Sequence, residues 1–165
     1  MALTTDIVAT YRRPVRIARE KIATRREELA LIYLMIGCGL VFIGQWPRLQ
    51  REAYLAGEDL QPLVGASLFA WIFAAPVLLY LLAWLVHLAA RLVRRPVGGF
   101  GSRMALFWAL VAASPLWLLN GLTAGMVGPG PALAVVGFVA AAAFLWFWAA
   151  GLKAAHAVET AGQAA

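Results

Sequence analysis

The stretch LVGASLFAWIFAAPVLLYLLAWLVHLAA, residues 63–90, runs for 28 residues without a formal charge. A helix needs about 20 apolar residues to cross the hydrocarbon of a bilayer. At about 1.5 Å per residue this one would reach about 42 Å, against about 30 Å of hydrocarbon. Cut in two, it would leave about 13 residues per span, which is too few. The stretch therefore predicts one tilted or kinked membrane helix whose ends enter the headgroups, with the break near Pro76.

Working outward, three more apolar runs flank it: Leu29–Trp46, Met104–Thr123 and Ala132–Leu152. Pro115 interrupts the third, as Pro76 does the second; neighbouring helices re-satisfy the carbonyl such a proline frees. Hydrophobic residues make up 63% of the 165-residue chain and charged residues 13%, against roughly 45–50% and about 25% in soluble domains. Mean hydropathy is +0.79. A soluble fold of this size cannot hide so much apolar surface. The expected class is all-α: a polytopic, four-helix transmembrane bundle with an N-terminal amphipathic interfacial helix. Its parts are a basic arm (1–28), a membrane domain (29–153; spans about 29–46, 63–90, 104–123 and 132–152) and a short tail (154–165). Arg12-Arg13 resembles a twin-arginine signal, but the run that follows is longer than a signal core and lacks a small-residue cleavage site, so it is read as a span.

Orientation follows from lysine and arginine. The arm holds seven: Arg12, Arg13, Arg16, Arg19, Lys21, Arg25 and Arg26. The loop after the second run holds Arg91, Arg94, Arg95 and Arg103, and the tail holds Lys153. Only Arg48 and Arg51 fall on the other side, giving twelve against two. Both termini are expected in the cytoplasm of a bacterial cell, with the protein in its inner membrane. Trp84, Trp108, Trp146 and Trp148 fit an aromatic belt near the cytoplasmic face, and Trp46 one at the far face. Trp71 and Trp117 sit deeper and read as packing residues.

Residues 5–28 read as an amphipathic helix broken near Pro14. Ile7, Tyr11, Val15, Ala18 and Ile22 form one face; Arg12, Arg16, Arg19 and Arg26 lie opposite. Such a helix rests in the headgroup layer, where each basic residue is attracted to anionic phospholipids by about 1 kcal/mol. Arg12, Arg13, Arg16, Arg19, Arg26, Arg91, Arg94 and Arg95 are the candidate lipid- or partner-contact residues. No base-stacking platform accompanies the charge, so nucleic acid is not an expected partner.

No Asp, Glu, Lys or Arg falls within a predicted span, which removes the usual equipment of a proton relay or ion-coupled transporter. The polar candidates are Gln45, Ser67, Tyr80, His87, Ser114 and Asn120. His87 and His156 invite a haem, but they lie on opposite sides of the interface and read as interfacial hydrogen-bonding groups. Cys38 is a lone cysteine in an apolar run; no catalytic group, metal site or cofactor is expected. Small residues mark close helix contacts, because lipid offers helices no hydrophobic drive to associate. Gly37, Gly44, Gly121 and Gly125 are the candidate packing glycines; Pro76, Pro115 and Asn120 join them as packing positions.

Trp71–Tyr80 with its central Pro76, the His87–Arg91 end of the same span, Ala112–Leu116 and the Gly128-Pro129-Gly130 turn resemble a small bacterial member of the Yip (Ypt/Rab-interacting protein) membrane domain family. The resemblance implies a helical membrane scaffold active in membrane organisation or in complexes. The expected function is non-enzymatic, exercised through helix–helix and lipid contacts, as an accessory subunit beside other membrane protein subunits or as a membrane-organisation factor. The alternatives are a transporter or channel component, and a redox subunit contacting haem or quinone.

Overall fold

The structure is a computed structural model and describes residues 3–93 and 97–163. Those residues form helices and turns: α1 (Leu3–Arg12), α2 (Pro14–Ala23), α3 (Glu27–Ala56), α4 (Leu60–Phe69), α5 (Ala75–Leu92), α6 (Gly99–Ala112), α7 (Ser114–Met126) and α8 (Pro131–Gln163). A π-helical segment, Ala70–Ala74, joins α4 to α5 as one rod, Leu60–Leu92. That rod, α3 and α8 are each long and apolar enough to cross a membrane. The pair α6–α7, bent by 46°, adds a fourth if counted as one span.

The prolines explain where the rods change course. Pro76 has no N–H for the carbonyl one turn back, and its ring crowds that turn. The wide π-turn lies just before it, where the extra residue relieves the crowding. Pro115 does the same work after α6, and the chain breaks at Ala113. Pro14 takes the first turn of α2, where the missing N–H costs nothing. Pro47 lies inside α3 without ending it. The helix continues past Trp46, where the apolar run stops, to a left-handed cap at Gly57, φ +67°.

The centre of the molecule is α6. From Met104 to Ala113 every residue is buried, because α3, α5, α8 and the α1–α2 pair close around it. Trp108 is therefore a core residue, 2% exposed, and not a member of an interfacial belt. The Gly101–Ala155 and Gly151–Ala105 approaches set α6 close against α8. They also explain why residues 154–163 are no free tail: Ala154 and Ala155 are buried in that seam, so the helix runs on to Gln163. The outer faces of α5 and α8 stay apolar and uncovered, with Val77, Leu78, Trp84, Phe138 and Trp146 all exposed.

Candidate functional site

The arm does not lie apart from the bundle. α1 and α2 turn back on each other at Arg13 and dock on α6 and α8 as a helical hairpin. What it buries differs from the expected apolar face. Ile17, Ala18 and Ile22 go inward, and so do Asp6 and Thr10, while Tyr11 and Val15 remain 44% and 43% exposed. The reason is a polar network that only tertiary contact creates. Lys21 Nζ donates to Asp6 Oδ2 at 2.5 Å and sits 4.8 Å from the Trp108 ring centroid and 5.4 Å from that of Tyr33. Thr10 Oγ1 accepts from Trp108 Nε1–H at 3.2 Å and donates to the Asp6 carbonyl at 2.7 Å. Burial alone would lower the lysine's pKa; its hydrogen bonds to Asp6 and Tyr33 outweigh that and hold it above the ordinary 10.5. Lys21 is thus committed inside the protein and is not part of a lipid-attracting face.

The arginines are the residues left outside. Arg12, Arg13, Arg16 and Arg19 are exposed; the first three, with Val8, line a groove of about 650 Å³ between α1 and α2. Arg16 pairs with Glu20 on the surface at 3.1 Å. Arg26 precedes α3 and lies 3.8 Å from Glu28. Arg91 is exposed in the last turn of α5, a different element, and Arg94 and Arg95 lie outside the described residues. His87 Nδ1–H donates to the Val97 carbonyl at 2.8 Å, tying α5 to the chain entering α6.

The level at which the hairpin tip sits decides its character. Tyr11 packs edge-on against Phe147, 4.9 Å between centroids, and Thr10 meets Trp108. Trp108 is about 7.5 Å along α6 from Arg103, and Phe147 about 9 Å along α8 from Lys153, at 1.5 Å per residue. The tip, with Arg12 and Arg13, therefore reaches inward past the charged ring of Arg103 and Lys153. The sequence signal for this was available. Asp6 and Lys21 stand at nearly mirrored distances either side of Pro14, as a hairpin requires and a bent rod does not.

The packing positions lie at the other end of the bundle. A Cβ on Gly121 would overlap the Gly44 carbonyl, and one on Gly125 would overlap Pro47, so α3 and α7 are in backbone contact there. A Cβ added to Gly37 would crowd the Leu110 side chain, at 2.8 Å from its Cδ2. Asn120 faces Gly137 and lines a cavity with Gly44 and Gly121. Pro76 and Pro115 act on helix direction, as above. Among the described residues no group of three or more His, Cys, Asp or Glu stands together to hold a metal. No family model, curated protein or solved structure matches the chain.

Proposed function

We propose that the chain is a non-enzymatic inner-membrane protein that crosses the bilayer four times, with both termini cytoplasmic. In this reading α3, the α4–α5 rod, the bent pair α6–α7 and α8 are the crossings. The α1–α2 hairpin is a wedge in the cytoplasmic leaflet. Its Arg12, Arg13, Arg16 and Arg19 take anionic phospholipid phosphates, and its buried face braces α6. The observation that carries this is the hairpin itself: a docked, polar-locked inner face, and an outer face that pairs Val8, Tyr11 and Val15 with exposed arginines. Arginine serves there because a long stem can run along apolar surface while the guanidinium meets phosphate in two bonds. The uncovered apolar faces of α5 and α8 support both lipid contact and the docking of other membrane subunits, the scaffold role that the Yip resemblance implies.

Spin labels test the wedge. A label at Val15 in the full chain, reconstituted in anionic vesicles, should report lipid depth. A label at Glu20, nearer the charged ring, should report shallower. Equal exposure of both to water would remove the wedge. Purification in mild detergent with mass spectrometry tests the subunit role. A strictly monomeric protein without any co-purifying membrane protein would reduce the proposal to lipid contact alone.

A further inference from the structure

At the end of the bundle opposite the hairpin, α3, α7, α8 and the π-segment enclose a cavity of about 740 Å³, well within the roughly 300–1,000 Å³ of ligand sites. Three residues of its wall carry buried polar atoms without a partner among the described residues: the donors Trp117 Nε1–H and Arg51 Nε–H, and the acceptor Asn120 Oδ1. Buried polar groups are normally satisfied, so two orphaned donors, Trp117 Nε1–H and Arg51 Nε–H, point to an acceptor supplied from outside. Arg51 is also held in place: Nη1 donates to the Gly125 carbonyl at 3.2 Å, and the guanidinium lies against Gly128. Its neighbour Arg48 is paired with Glu52 at 2.8 Å, so among the described residues lining the cavity Arg51 is the cation without an ion-pair partner. The π-turn contributes Trp71 to the wall, and Val41, Leu110 and Leu133 make the rest apolar.

These groups are arranged in order along the cavity. Arg51 bonds at the level of Gly125, five residues beyond Asn120 and eight beyond Trp117, so the cation stands about 8–12 Å along the axis from the two deeper polar groups. Leu110 lies deeper still. From this we infer that the cavity binds one glycerophospholipid of the outer leaflet. The phosphate lies on Arg51. The ester carbonyls accept from Trp117 Nε1–H and from Asn120 Nδ2–H. One acyl chain runs down to Leu110. A free fatty acid fits worse: with its carboxylate on Arg51 it has nothing to offer Trp117 and Asn120. The inference rests on the membrane reading above, since it needs a bilayer to supply the ligand.

The test uses the full-length protein, extracted from membranes, delipidated in detergent and titrated by native mass spectrometry. The probes are phosphatidylglycerol, diacylglycerol and palmitate, each against the wild type, Trp117→Phe, Asn120→Leu and Arg51→Gln. Phosphatidylglycerol should bind the wild type with one saturable, tight stoichiometric step. Each variant should weaken that step by about tenfold, the scale of one lost hydrogen bond to a charged or buried group. Diacylglycerol should lose what Arg51→Gln loses. Thermal melts keep the result readable. Added phosphatidylglycerol should raise the melting temperature of the wild type by more than that of a folded variant at the same lipid concentration. A palmitate step as tight as that of phosphatidylglycerol would overturn the inference. So would unchanged phospholipid binding in folded Trp117→Phe and Arg51→Gln. A protein that never partitions into membranes would overturn the membrane reading instead, and the two failures are distinct.

Discussion

At the scale of single residues, the glycines of α7 divide sharply from those that face open space. Gly121→Leu must push a side chain into the Gly44 carbonyl, so α3 and α7 have to part. Overpacking costs about 1–3 kcal/mol, and the upper end is expected because the obstacle is backbone. Gly39→Leu, on α3 with nothing within 4 Å of its added Cβ, should be nearly neutral. Thermal melts of the two in one detergent make the comparison; equal melting temperatures would remove the α3–α7 seam. Lys21 offers a second test. Removing one partner of a mostly buried pair costs about 3–5 kcal/mol, so Lys21→Met should destabilise strongly and Lys21→Met with Asp6→Leu should recover part of the loss. The pH sign follows from the raised lysine pKa. Its contribution is complete below 10.5 and is lost only as pH climbs through the higher folded value, so melts between pH 6 and 9 should not register it.

At the scale of elements, the apolar runs are legible because a membrane-length stretch without charge admits few other readings. The breaks at Pro14, Pro76 and Pro115 are legible because proline's missing N–H acts locally. The docking face of the arm is not legible in the same way. In a ten-residue helix several faces carry apolar residues, and the inward one was chosen by Trp108 and Lys21, which satisfy Thr10 and Asp6 only in three dimensions. The same holds for Trp108: an aromatic near a run's end fits a belt until other helices cover it. Asn120 and Trp117 could be seen as polar groups in an apolar run, but not as sharing a cavity with Arg51, which belongs to another helix. The hairpin also yields a protease prediction. Arg25, at φ +47°, and Arg26 connect α2 to α3 and are exposed. In vesicles with the cytoplasmic face outward, trypsin should cut there first and spare the Arg12–Arg13 bond, and detergent should remove that protection. Cleavage at Arg12–Arg13 in intact vesicles at the same rate would place the tip outside the leaflet.

At the scale of the whole molecule, the proposed orientation makes a plain claim. Reporter fusions after Gly98 and after Gln163 should read cytoplasmic, and one near Gly57 should read periplasmic. A periplasmic reading after Gln163 would replace four crossings by three, with α6 and α7 re-entering on one side. The bend of 46° at Ala113 is where the two arrangements part.

The closing of the hairpin on α8 has a consequence in time. The arm leaves the ribosome well before the wall it needs, residues 131–163. Until then Asp6 and Lys21 have no α8 beside them, and the arginine tip lacks Phe147 to lean on. Seating the N-terminus is therefore among the final acts of biogenesis, a long-range closure of the slow kind. A nascent chain released before Pro131 should still carry a loose, trypsin-sensitive arm, whereas the finished chain should not. Trypsin sensitivity of α1 would then report whether α8 has been made.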